Sequence, residues 1–256
     1  MLKTYNINID TGTLQTTGGG QGGSAQSFVT KVNNNPFQCQ VLLGNRHRTV
    51  RSVSLKNAQI PVNWYNVRPY SNTITINSTL YTLTDGFYTH ATLITEFAAK
   101  VSGFTLGFES KTGFSTITAG SGTVTVTVPT GLTYPSLAYL LGFQTTVTSS
   151  GLVATSKSAA TIFNRDPYVN IWIENLGASS AEISQSTFKV PIALPVPQFN
   201  NVFYWAEQSQ NEQLVCVTDS AARIDRLNIQ VLDRYGQQLD NNGADWALTL
   251  QIKSDN

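Results

Sequence analysis

From Phe37 onward, apolar residues recur at every second position through most of the chain, the period of strands with one buried face. In "PFQCQVLL", Phe37, Cys39, Val41 and Leu43 alternate with Gln38, Gln40 and Leu42. "RSVSLKNAQIPV" places Val53 and Leu55 on one face, and "NTITIN", "TLYTLT", "GFTLGF", "FSTITA" and "TVTVTVP" follow. "YVNIWIENL", "TFKVPIAL", "NVFYWAEQ" and "QLVCVT" continue the series towards the carboxyl end. Gly, Asn, Ser or Pro bounds most of these runs. Many short strands separated by turn residues predict an all-β sandwich or barrel rather than a parallel α/β sheet.

Two segments have a helical period instead. In "THATLITEFAAKVSG" the apolar residues are Leu93, Ile94, Phe97, Ala98 and Val101, with Thr89 placed to cap the start and Gly103 to end it. In "YPSLAYLLGF", Pro135 suits a first helical turn and Gly142 a stop. Both read as short helices set into loops.

The chain closes on "RLNIQVLDRYGQQLDNNGADWALTLQI". Leu227, Ile229 and Val231 share one face, and Trp246, Leu248, Leu250 and Ile252 repeat the pattern. Gly236 and Asn242-Gly243 tolerate positive φ, so the stretch predicts a hairpin around one polar turn. A one-residue slip would expose a tryptophan and three large aliphatics, at roughly 1.5–3 kcal/mol per buried side chain.

The beginning of the chain has a different character. "TGTLQTTGGGQGGSAQS" shows no apolar periodicity, and its glycines are expensive to order. Residues 1–27 therefore read as a flexible Gly-rich arm and 28–256 as the β domain. "GGGQGG" lacks the Gly-Lys-Ser/Thr ending and the strand–helix context of a phosphate loop.

Composition adds a surface property. Among 256 residues only 12% are charged, about half the average for soluble proteins, and the net charge is +1. Thr, Ser, Asn and Gln carry the polarity, giving a surface that hydrogen-bonds well and repels copies of itself weakly. A Thr-rich extracellular-type β domain has the same profile. No global field recruits nucleic acid or an anionic membrane. "MLKTYNINID" has no signal-peptide core, and no apolar run approaches the length of a membrane span; a soluble chain is expected.

Candidate chemistry is sparse. His47 sits in "NRHRTVR" and His90 at a helix start, neither in a catalytic motif, and both read as surface histidines. Asp225, Asp233, Asp240 and Asp245 cluster near the chain end, where "LDNNGAD" offers a loose calcium-type spacing that turn chemistry explains equally. Cys39 and Cys216 lie in alternating apolar segments and read as reduced core thiols, with one disulfide between them left open. Asn77-Ser78-Thr79 matches a glycosylation acceptor. No metal, cofactor or catalytic set is expected.

Two clusters remain as candidate contact residues. Arg46, Arg48 and Arg51, with Lys56, form the densest positive patch, suited to a solvated loop, an intersubunit ion-pair surface or a few phosphates. "NWYNVRPY" gathers Trp64, Tyr65 and Tyr70 around Arg68, residue types that anchor interfaces, line sugar platforms or cover a core edge.

Four further motifs, taken together, resemble a known family. "SVSLKNAQIPVNWYNV", then "TDGFYTHATLITEFAAKV", then "LAYLLGF", then "LNIQVLDRYGQQLDNNGADWALTLQI" are similar to the penton (minor capsid) proteins of virophages, polinton-like viruses and related large eukaryotic DNA viruses. The likeness spans about residues 52 to 252. It implies a single jelly-roll β-sandwich of two antiparallel sheets over 28–256, with homopentamers at the fivefold vertices of an icosahedral capsid. It also implies a location in the virion, neighbouring major-capsid capsomers as partners, no cofactor and no enzymatic activity. The alternative is a jelly-roll attachment or glycan-binding module on the virion surface, using Trp64, Tyr65 and Tyr70 on a host receptor or glycan.

Overall fold

A computed structural model describes residues 3–12, 28–33, 35–174, 188–193, 201–206 and 213–255. In chain order the strands begin with β1 (Lys3–Asp10), β2 (Phe28–Val32) and β3 (Asn35–Val62). Next come β4 (Thr73–Ile76), β5 (Thr79–Thr82), helix α1 (His90–Lys100), β6 (Phe104–Phe108), β7 (Phe114–Ala119) and β8 (Thr125–Thr127). Helix α2 (Leu137–Leu140), β9 (Val147–Thr148) and β10 (Val153–Ala159) complete the central stretch. The chain ends with β11 (Tyr168–Glu174), β12 (Phe188–Ala193), β13 (Asn201–Ala206), β14 (Gln213–Leu232) and β15 (Ala247–Ser254). Every ladder among the described residues is antiparallel, and the class is an all-β, jelly-roll-like sandwich. The fold forms two compact units, 1–63 with 166–256, and 64–165.

The first unit is organised by its two long strands. The early part of β3 pairs with β2 and with the late part of β14, as in Cys39 opposite Ile229. Its later part pairs with β15, with β13 and with the start of β14. Four register shifts interrupt the β3–β14 ladder between Leu214 and Arg226, the kind of break that lets a strand bend from one layer to another. A shift opposite Leu55–Asn57 also reverses the inward parity of β3, so Val53 and Leu55 are buried and then Ala58, Ile60 and Val62. Phe37, Cys39 and Val41 join Leu227, Ile229 and Val231 in this core, and the Phe37 and Trp246 rings meet edge-on at 5.6 Å. The Trp246 indole donates to the Pro36 carbonyl at 2.5 Å. Pro191 is accommodated because β12 ends the sheet order among the described residues.

The alternation predicted at the chain end is present, but the predicted hairpin is not. Leu227, Ile229 and Val231 are buried, as are Trp246, Leu248, Leu250 and Ile252. No ladder joins β14 to β15 among the described residues: β14 pairs with β3 and β11, and β15 with β1 and β3. Period-two burial fixes which face points inward and leaves the partner open, and β3 competes for both strands. The connecting turn is held by Asp233, whose Oδ1 accepts from the Tyr235 and Gln237 amides at 2.9 and 2.8 Å, while Gly236 and Asn242-Gly243 adopt positive φ.

The arm expected over 1–27 is also different in its first part. Lys3–Asp10 is strand β1, paired along its whole length with β15 and burying Ile7 and Ile9. Residues 13–27 lie outside the described residues.

The second unit is more local. β4 and β5 form a two-residue hairpin whose corner residues, Asn77 and Ser78, have φ of 47° and 65°, the geometry that matches strand twist. β6 pairs with β7 and β7 with β10; β4 pairs with β8 and β8 with β9. Thr89 and Thr92 form a capping box at the start of α1, which buries Leu93 and Phe97 while Ile94 and Ala98 face outward. Helix α2 begins after Pro135, with Ser136 as its cap, because a hydroxyl satisfies the first free amides. Leu137, Leu140, Phe143, Ile117 and Val126 complete the core with these residues.

Candidate functional site

The segment between β3 and β4 places four of the candidate contact residues on one irregular stretch. Arg68 is held inward: its Nε donates to the Tyr65 carbonyl at 2.6 Å and its Nη1 to the Tyr70 hydroxyl at 3.0 Å. Its own carbonyl accepts from the Ser71 amide at 2.8 Å, closing a turn. Arg165, which the sequence reading passed over, is 1% exposed and approaches the same stretch. Its Nη1 donates to the Asn66 carbonyl at 3.1 Å and to the Ser71 hydroxyl at 2.6 Å. The guanidinium carbon lies 5.1 Å from the centre of the Tyr70 ring, a cation–π distance, and Tyr70 meets Tyr134 at 5.1 Å.

Asn66 ties the stretch to the approach to α1. Its side-chain oxygen accepts from the Tyr88 amide and its Nδ2 donates to the Tyr88 carbonyl, each at 2.8 Å, while Val67 and Gly86 exchange backbone bonds at 3.0 Å. Such reciprocal bonds fix a loop with little side-chain freedom left. Burial, aided by the Glu96 and Asp85 carboxylates, pushes the Tyr88 phenol above its ordinary value. Glu96 moves the other way, because its carboxylate accepts the Thr84 amide at 2.8 Å. The chemistry of this arrangement is positional: two guanidiniums and two ring systems hold the 64–72 stretch against its own unit.

The candidate contact residues therefore divide. Trp64 and Arg68 are 3% and 6% exposed and are used within the chain. Tyr65 and Tyr70 are half-buried, and Arg51 is exposed and paired with Asp255. Arg46 and Arg48 lie on β3, with side chains outside the described residues, as does that of His47. Nothing in the spacing of "NRDP" distinguishes Arg165 from a solvated arginine, because its neighbours come from residues far away in sequence.

The other singled-out residues serve the fold. Asp233 and Asp240 cap turns, and Asp245 pairs with Lys31 at 2.6 Å and accepts from Thr11. No group of three or more His, Cys, Asp or Glu residues able to hold a metal occurs among the described residues. The exposed His90 ring stacks on Phe163 at 3.7 Å and meets Phe108 edge-on at 4.8 Å. Asn77 of the glycosylation triplet has its amide engaged by the Thr123 carbonyl and the Thr125 amide. Cys39 is a free thiol that burial pushes up to about 12, and the register sets Cys216 opposite Val53, far along β3 from it. No helix among the described residues is long and apolar enough to cross a membrane.

No family model matches the chain, and no curated protein matches it. A solved structure, the SeMet-labelled mavirus penton protein, is similar over 99% of this chain and 100% of that one, with 10% identity and a TM-score of 0.45. At that score the likeness carries no argument about function.

Proposed function

We propose that this chain is a structural capsid protein, a penton that assembles as a homopentamer at the fivefold vertices of an icosahedral shell and packs against major-capsid capsomers. One observation carries the reading: the four motifs that resemble penton proteins coincide, in order, with places that determine the fold. Ile60-Pro61 lies at the end of β3, and Gly86-Phe87-Tyr88 leads into α1 through the Asn66 clamp. Leu141-Gly142-Phe143 closes α2, and Asp233 to Gly243 forms the turn before β15.

Two further observations agree with it. A lightly charged, hydroxyl- and amide-rich surface lets copies approach with little repulsion. The buried polar side chains Arg68, Arg165 and Asn66 are spent on holding a loop. The reading involves no cofactor and no catalysis. The glycan platform imagined on Trp64, Tyr65 and Tyr70 loses its tryptophan to the interior.

Native mass measurement of the purified chain tests the proposal. A closed five-copy ring, and its position at particle vertices, are the expected results. A chain that stays monomeric at tens of micromolar and is absent from purified particles would overturn it.

A further inference from the structure

We propose that β1 is an exchangeable strand, and that the β15 edge it covers is the acceptor for β1 of a second copy of this chain. The inference rests on the assembly reading above and goes beyond it by naming the segment that ties copies together.

The strand and its complement are each contained in one short stretch. β1 stands at the end of the sheet order with β15 as its neighbour, and its register runs without a shift from Lys3 opposite Ser254 to Asp10 opposite Ala247. Ile7 and Ile9 are buried, while the outward Asn8 and Asn6 accept from Thr249 and Gln251 at 2.9 and 3.3 Å. Thr11 closes the end: its amide donates to the Trp246 carbonyl at 3.0 Å, and its hydroxyl accepts from the Trp246 amide at 2.9 Å and donates to Asp245 at 3.1 Å. The ladder, the asparagine bonds and the Thr11 clasp all end on residues 245–254. Any copy that presents those residues therefore presents the same docking set.

The sequence after β1 suits such an exchange. Residues 13–27 read "TLQTTGGGQGGSAQS", with five glycines and no proline. Fully extended, fifteen residues reach at most about 50 Å. Loop closure becomes only slowly less favourable as the loop lengthens, so the tether sets no sharp preference for its own domain. Exchange replaces each contact by an identical one from a neighbour, which leaves the ladder's energy nearly unchanged. In a closed assembly a neighbour's β1 is present at an effective concentration on the order of millimolar, comparable to that of the chain's own β1, so exchange competes with self-pairing on near-equal terms. A vacated β15 would be an open sheet edge, a strong template for the next available strand, and copies of β1 are the matching one.

Paired cysteines read the exchange directly, because Asn6 and Gln251 face each other across the ladder. One chain carries Asn6→Cys, a second carries Gln251→Cys, and the two are co-expressed, oxidised gently and mapped by peptide mass spectrometry alongside native mass. A third chain carrying both substitutions provides the within-chain reference. The expected result is a 6–251 linkage between the two different chains in the assembled species, seen as a shift from one-chain to two-chain mass. Assembly without that linkage, while the double variant links within itself, overturns the exchange and leaves the capsid reading standing. A monomer without the linkage overturns both. Failure of the double variant to link overturns the exchange as well, since β1 would then not occupy the β15 edge.

Discussion

The two units solve the same problem, burying one face of many short strands, by opposite routes. In the 64–165 unit, strands pair with near neighbours: β4 with β5 through a two-residue corner, β6 with β7, and helices α1 and α2 contribute buried residues to the same core. In the other unit much of the pairing is remote. Lys3 lies opposite Ser254, and β3 takes partners from both the start and the end of the chain. Local pairing closes small loops and forms quickly, whereas remote pairing must close nearly the whole chain before any contact is gained. The local unit thus depends on exact corners, and the remote unit on a few large side chains that lock distant strands together.

The largest expected effect tests the corners. Gly142 ends α2 at φ +93°, and a Cβ there would lie 2.1 Å from the Ser158 carbonyl oxygen, a contact with backbone that no side-chain rotation relieves. Gly142→Ala should destabilise the 64–165 unit on the order of 5 kcal/mol, combining strained φ with steric overlap. Hydrogen exchange at β6 and β7 amides is the readout, with protection in that ladder expected to collapse. Protection equal to that of the parent chain would show that this corner does not govern the unit.

Trp246→Ala addresses the remote unit in the same way. The indole is 3% exposed, meets Phe37 and satisfies the Pro36 carbonyl, so its removal leaves both a cavity and an unpaired acceptor. A loss of about 3–4 kcal/mol is expected from such a truncation. Cys39 supplies a local probe, since its thiol, pushed up to about 12 by burial, is protonated and shielded at neutral pH. Maleimide labelling at Cys39, resolved by peptide mapping, should accelerate by roughly two to three orders of magnitude if opening follows stability, at about 1.4 kcal/mol per tenfold. Unchanged labelling would remove Trp246 from its locking role.

The same contrast explains what the residues disclosed before any coordinates. Strand after strand is legible from alternation, because a half-buried strand writes its period into its own sequence: "TITI", "FSTITA" and "ALTLQIKS" are all strands with every second residue buried. Strand β10, "VATSKSA", escapes that reading since its inward positions are Ala154 and Ser156, too small and polar to mark a period. Partners are another matter. Nothing within 227–252 says that β3 separates those two strands, just as nothing in the polar alternation of "TYNINID" near the start announces that Ile7 and Ile9 are anchored by the last strand. The candidate contact stretch shows the same limit. Its aromatic and arginine residues were visible, but the burial of Arg68 and the arrival of Arg165 are tertiary events.

The smallest effect concerns a single carboxylate that staples α1 to the strand end before it. Glu96 Oε1 accepts the Thr84 amide at 2.8 Å, and this bond holds its pKa below the ordinary 4.5, with Lys100 helping and partial desolvation opposing. A lowered folded-state pKa means that the unfolded chain binds the proton first. The stabilisation is therefore complete above the ordinary glutamate range and fades as pH falls through the lowered folded value. The group is largely solvated, so screening keeps the contribution small. Glu96→Gln keeps an acceptor for the Thr84 amide but cannot titrate. Melting of the 64–165 unit, followed between pH 6 and pH 3 as a scan range of about three units, should show a shallower acid decline in the variant than in the parent. Parallel declines in the two would mean that the staple is geometric only, and that the local unit draws nothing from the charge at this corner.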